Sequence, residues 1–145
     1  MYTNEDDLDR AGELATLWPY DGPHSPETVT DAAHAISMLV RYINNATSIP
    51  GRYCYMSQVA QVANSLAAAV YGVDQLLDQM SRAIDWHIET GRLYDDRCPR
   101  DPDAGLAKAD LAVNKIIQAR TTAGVLAEQL SELGNTANTI GHRTW

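Results

Sequence analysis

Phenylalanine is missing altogether from these 145 residues, and lysine nearly so, with two lysines against nine arginines. Positive charge as a whole is scarce: eleven bases face nineteen acids, for a net charge of −8. A chain this poor in bases has no stripe with which to neutralise phosphates, so direct nucleic-acid binding is not expected. Long apolar runs are absent too. Gln, Asn, Ser or Asp breaks each one before the roughly 18 residues that a membrane-spanning helix needs, so no membrane segment is expected. Cysteine is limited to Cys54 and Cys98, with no C-x-x-C. The two fall at opposite ends of what reads as one long helix, tens of ångströms apart at about 1.5 Å per residue. A disulfide needs Cα atoms within about 7 Å, so two free thiols in a reducing compartment are expected. The opening "MYTNEDDLDR" is acidic where a secretory signal would be basic and then apolar, which points to the cytoplasm.

What is present has ordinary globular proportions, 45% hydrophobic and 21% charged, at the length of one domain. The acidity is local. Residues 1–31 hold eight acids and one base, a charge of −7, whereas the remaining 114 residues carry only −1. The negative charge therefore belongs to an N-terminal arm, residues 1–24, and to the entry of the helix that follows.

Helical periodicity dominates the rest. A seven-residue template with alternating steps of three and four passes through Met56, Val59, Ala63, Leu66, Val70, Val73, Leu77, Met80 and Ile84, all apolar. The period is that of a coiled coil or bundle helix, not of a strand. Val62, Ala69, Leu76 and Ala83 widen the stripe on one flank, Ala60 and Ala67 on the other. The opposite face, from Ser57, Gln58 and Gln61 to Arg82 and Asp85, is polar. The same template fits Ala112, Ile116, Ala119, Ala123, Leu126, Leu130, Leu133, Ala137 and Ile140. Between the two segments "GRLYDDRCPRDPDAG" stops one helix and starts the next, so the pair is expected to run antiparallel. Both seams are rich in alanine, which allows close backbones and makes Ala63 and Ala119 positions where a large side chain overpacks.

Upstream, "HSPETVTDAAHAISMLVRYINNATSIPG" reads as a helix capped by Ser25, with Pro26 in its first turn and a stop at Ile49-Pro50-Gly51. Its stripe is Val29, Ala32, Ile36, Leu39, Ile43 and Ala46. A short helix from about Asn4 to Trp18 precedes it, and "ARTTAG" marks a low-propensity point in the last helix where a kink is expected. The expected fold is an all-α, single-domain antiparallel bundle of three long helices, 25–48, 55–91 and 104–140, plus the short N-terminal one. Helices of about 35 residues are long for such a chain, and long hairpins of this kind are frequently completed by dimerisation.

No coherent catalytic set accompanies this framework. A Gly-rich phosphate loop, a nucleophile elbow and Glu-x-x-His are all missing. Asp31-x-x-His34 is the nearest approach to a metal pair, and His24, His87 and His142 have no evident ligand partners. Asp74, Asp78, Asp85 and Glu89 share one side of a helix, where paired carboxylates could hold Mg²⁺ or act as acid and base. Asp78 with Arg82 four residues on, however, is the orientation of an exposed ion pair. His87 extends the seam and is expected to close the core. No metal or cofactor is expected.

The residues that stand out chemically are tyrosines and arginines. Arg41, Tyr42, Arg52, Tyr53 and Tyr55 flank a Pro-Gly turn, and Arg92 and Tyr94 lie in the long connection. Tyr with Arg is the chemistry of binding hot spots. These seven are the expected partner-binding residues, the partner being another protein or a second copy of the chain. Tyr71, Trp86 and Tyr94 could instead be covered by the first helix.

The runs "LVRYINNAT", "VANSLAAAVYGVDQLLDQMSRAIDWHIETGRLYDD" and "DPDAGLAKADLAV" resemble small all-helical proteins encoded widely in actinobacteria, over about residues 29–130. The resemblance implies the helical fold and an actinobacterial source; it implies no activity. The expected function is non-enzymatic protein–protein interaction or scaffolding, self-association included. Two alternatives are a phage or mobile-element regulator whose acidic arm caps a basic partner surface, and a metal-dependent helical-bundle enzyme.

Overall fold

The computed structural model of the chain describes residues 9–50 and 55–141, in which there are four helices and no strand. They are α1 (Arg10–Leu17), α2 (Pro26–Ala46), α3 (Met56–Glu89) and α4 (Pro102–Ala137). Among the described residues no helix is long and apolar enough to cross a membrane. Two compact units divide the chain, Met1–Tyr53 and Cys54–Trp145.

In the first unit each helix opens where a side chain satisfies an orphan N–H. Asp9 accepts from the Gly12 N–H at 3.0 Å and starts α1; the expected start at Asn4 lies outside the described residues. Ser25 and Thr28 form a reciprocal box at the head of α2. The Thr28 N–H donates to Ser25 Oγ at 3.1 Å and the Ser25 N–H to Thr28 Oγ1 at 2.9 Å, with Pro26 in the first turn as expected. Leu14 and Ala15 of α1, with Trp18 just after it, face Ala32, Ala35, Ile36 and Leu39 of α2 across an open cleft of ≈ 340 Å³. Neither helix contains a buried residue.

The second unit is a hairpin of α3 against α4. Asn64 meets Gly134, Asp74 and Asp78 meet Arg120, and the Leu93–Tyr94 backbone meets Gly105. Rising numbers on α3 pair with falling numbers on α4, so the helices are antiparallel. The chain reverses through a helix end of the Schellman type. The Gly91 N–H donates to the Ile88 carbonyl at 3.0 Å and the Arg92 N–H to His87 at 3.4 Å, with Gly91 at φ +64, a conformation that glycine adopts without a Cβ penalty. Asp101, accepting from the Asp103 N–H at 3.0 Å, and Pro102 then start α4. Through "ARTTAG" α4 remains one helix, with the Thr121 and Thr122 hydroxyls donating back to Ile117 and Gln118.

The seam between the helices differs from the seven-residue template. Its buried residues are Ala60, Ala63 and Ala67 on α3, and Gly105, Ala109, Ile116, Ala127, Gly134 and Ala137 on α4. Ala63, Ile116 and Ala137 lie on the template; the others do not. Of the expected seam, Met80, Ala119, Leu126, Leu133 and Ile140 are exposed instead. The difference is a constant one-residue offset at every second seam position, since Ile116, Ala123, Leu130 and Ala137 stay on the inward line throughout. On α4 the facing line accordingly passes through Arg120, Ala127 and Gly134 instead of Ala119, Leu126 and Leu133. His87, expected in the core, is exposed.

Because the helices are antiparallel, residues one position before the seam in each helix fall on the same side of the hairpin. On that side stand Val59, Leu66, Val73 and Met80 from α3, with Ala119, Leu126, Leu133 and Ile140 from α4. Residues one position after the seam make the other side: Gln61, Gln75 and Arg82 with Thr121, Glu128 and Asn135. Neither side is uniform: Tyr71 and Ile117, 56 and 55% exposed, follow the seam residues Val70 and Ile116, while Lys115 and Thr122 precede Ile116 and Ala123.

Glycines report how close the backbones come. A Cβ on Gly105 would sit 2.7 Å from Tyr94 Cα and 2.8 Å from the Leu93 carbonyl oxygen, atoms that cannot swing aside, while nothing lies within 4 Å of one on Gly124. We expect Gly124→Ala to raise stability by roughly 0.5–1 kcal/mol through helix propensity. Gly105→Ala should instead lower it by about 1–3 kcal/mol, as overpacking outweighs the same gain. Ala63→Leu belongs with the second kind, whereas exposed Ala119→Leu is expected to be nearly neutral. Chemical denaturation followed by circular dichroism checks the ranking.

Candidate functional site

The most organised polar cluster lies across the middle of the hairpin. Position 120 faces α3, and a side chain there must be small or find polar partners. Arg120 finds two. Its Nε and Nη2 hold the two oxygens of Asp74 at 2.8 and 3.1 Å, and Nη1 holds Asp78 Oδ1 at 3.0 Å. The other oxygen of Asp78 pairs with Arg82, the i,i+4 contact anticipated from the spacing. A two-pronged guanidinium–carboxylate contact is the strong form of a charge-assisted hydrogen bond and fixes both groups in plane.

The charges respond to each other. The hydrogen bond from Arg120 holds the Asp74 carboxyl below the usual aspartate range, against a smaller opposing effect of desolvation, and the contact with Asp74 raises the Arg120 guanidinium further. Asp74 and Asp78 therefore form part of a structural clasp, both engaged by one cation. Asp85 and Glu89, the other carboxylates on this helix face, are exposed and lie beyond it. Among the described residues no three His, Cys, Asp or Glu side chains are grouped to hold a metal ion, and Asp31 and His34 are both exposed on α2.

Of the tyrosines and arginines expected to bind a partner, those described in the second unit lie at the two ends of α3. Arg41 and Tyr42 are exposed near the end of α2, with Tyr42 64% accessible. Arg52 and Tyr53 lie outside the described residues. Tyr55 stands just before α3, its N–H donating to Gln58 Oε1 at 3.0 Å and its side chain exposed. Arg92 and Tyr94 are exposed at the opposite end of the same helix, whose 34 residues span about 51 Å. Tyr94 there joins Ile84, His87, Leu93 and Lys108 around a cleft of ≈ 230 Å³ floored by Gly105. Trp86 meets the His87 ring edge-on, centroids 4.8 Å apart, and is exposed. Cys98 is a free, exposed thiol.

Residue-level reading of the sequence missed Arg120. The available signal was a lone cation in an otherwise uncharged stretch of α4, four residues after Ile116 and seven before Ala127, both buried. It also places in the core large side chains such as Met80, Leu126 and Leu133 that are exposed.

The clasp has a pH signature. Since the folded pKa of Asp74 is depressed, its contribution to stability is complete above the unfolded value and is lost as pH falls through the folded one. We expect Arg120→Gln to be less stable than the parent chain at about pH 7, with the gap closing below about pH 4 as the carboxyl is protonated in both. Parallel melts at the two pH values read this directly. A gap that stays constant would mean that Arg120 acts through packing of its stem and not through Asp74.

Compared with protein-family models, with curated proteins and with solved structures, the chain finds no match.

Proposed function

We propose that the chain is a non-enzymatic protein–protein interaction or scaffold protein of the cytoplasm, presenting surfaces on a rigid helical hairpin. The observation that carries this reading is the inversion of its apolar residues. Among the described residues the buried hydrophobic ones are six alanines and Ile116, while large side chains such as Val29, Ile36, Tyr42, Tyr55, Trp86, Tyr94 and Leu133 are exposed. Apolar surface of this extent is what interaction surfaces display before they are covered. The tyrosines add amphipathic rings suited to binding hot spots, with arginines beside them in sequence. The organised charges, Asp74, Asp78, Arg82 and Arg120, neutralise one another within the hairpin, which favours a structural task for them over catalysis.

Affinity capture on the tagged full chain from nuclease-treated host lysate tests the reading. We expect a discrete protein partner, retained after nuclease, whose recovery drops at least about tenfold when Tyr42 and Tyr55, or Arg92 and Tyr94, are replaced by alanine. Full recovery with both double variants would remove these tyrosines from the interface. Recovery of no other protein would overturn the adaptor reading.

A further inference from the structure

We propose that the cleft beside the turn of the α3–α4 hairpin is a binding site for a small organic carboxylate, with a single ring or short chain as its apolar part. The site goes beyond the interaction reading and shares only Tyr94 with it. Its floor is apolar and its rim is polar. Ile84, Leu93 and Ala112 are half-buried and Gly105 and Ala109 buried, whereas His87, Tyr94 and Lys108 are exposed around them. Each of these three rim side chains carries a hydrogen-bond donor, an imidazole N–H, a phenol O–H and an ammonium. No carboxylate lines the cleft.

Charge selects the ligand. Although acids outnumber bases nineteen to eleven along the chain, the side chains of Lys108 and His87 make no ion pair or hydrogen bond. No acid stands three or four residues from either one along its helix, the spacing at which a neighbour would pair with it. Two nearby aspartates are engaged with backbone instead: Asp95 accepts from the Arg97 N–H at 2.9 Å and Asp101 from the Asp103 N–H at 3.0 Å. The ammonium at the rim is thus open to an anion from outside the chain. An inorganic anion leaves the apolar floor uncovered, and an uncharged ring leaves the cation unused; a carboxylate on an apolar body engages both. Size limits that body. At ≈ 230 Å³ the cleft is smaller than the roughly 300–1,000 Å³ of sites for drug-sized ligands, which restricts the occupant to about one ring.

The test is a titration of the isotope-labelled full chain with sodium benzoate at neutral pH, followed by amide correlation NMR. We expect saturable shifts of the Leu93, Gly105 and Ala109 amides with a Kd of about 1–10 mM, the range for a ligand of about nine non-hydrogen atoms. Benzyl alcohol, which keeps the ring without the charge, and acetate, which keeps the charge without the ring, should each bind at least about fivefold more weakly. Lys108→Gln should weaken benzoate at least about fivefold, while Lys115→Gln, at an exposed lysine that does not line the cleft, leaves the Kd unchanged. Both lysines are exposed, so neither substitution threatens the fold. Shifts that fail to saturate by about 50 mM, or that persist with the parental Kd in Lys108→Gln, overturn the site, the cleft then being closed or too shallow to hold a ligand. Equal binding of benzyl alcohol and benzoate overturns the carboxylate assignment. Equal losses in the two lysine variants overturn it as well, leaving only non-specific attraction of charge.

Discussion

Close approach of the α3 and α4 backbones is the constraint on which the hairpin depends. Where Gly105 passes the Leu93–Tyr94 backbone even one methyl group has no room, and at Gly134 a methyl would displace the Asn64 side chain. A seam of that kind is lined mainly by Ala60, Ala63, Ala67, Ala109, Ala127 and Ala137, with Ile116 the one large buried side chain among the described residues. Each buried methyl contributes about 0.8 kcal/mol, so alanine gives geometry at little hydrophobic gain. The placement of most larger side chains follows from this: with little room between the helices, Met80, Leu126, Leu133 and Ile140 stand about half exposed.

Small residues alone leave axial position loosely defined, because one alanine packs much like the next. Register needs a directional contact, and the Arg120 fork on Asp74, with its third hydrogen bond to Asp78, supplies one. Sliding by one turn would separate the guanidinium from Asp74 by about 5 Å and leave a part-buried cation short of acceptors. The clasp at mid-hairpin and the tight passage at Gly105 thus divide the work, one setting register along the helices and the other the closure of the loop.

Much of the architecture was legible in the residues themselves. Ser25-Pro26, Asp101-Pro102 and Gly91 mark helix ends because the chemistry of capping is local, and all three act as their spacing indicates. The antiparallel pairing followed from one loop. The seam was half legible: a seven-residue template finds Ala63, Ile116 and Ala137 but exchanges Arg120, Ala127 and Gly134 for Ala119, Leu126 and Leu133. Hydrophobicity favoured the leucines, whereas the backbone approach favours the small residues beside them. The Arg120 contact was illegible for a different reason, since 46 residues separate it from Asp74 and no local pattern joins them. For the tyrosines the residue types were plain, but their separation along α3 emerges only once its length is known.

Topology decides which stripes of the two helices become neighbours. Val59, Leu66 and Val73 precede the seam on α3, and Ala119, Leu126 and Leu133 precede it on α4. Had the helices run parallel, these flanks would fall on opposite sides of the pair, each one helix wide and flanked by polar neighbours. Reversal at Gly91 puts both on the same side, with Gln61, Tyr71, Gln75, Ile117, Thr121 and Glu128 on the other. What stands on each side is therefore a property of neither helix alone. It arises from the tight turn together with the narrow seam, which brings the two flanks near each other. A close seam leaves most of the bulk outside the interior, and the antiparallel turn decides which residues of the two helices stand beside each other there.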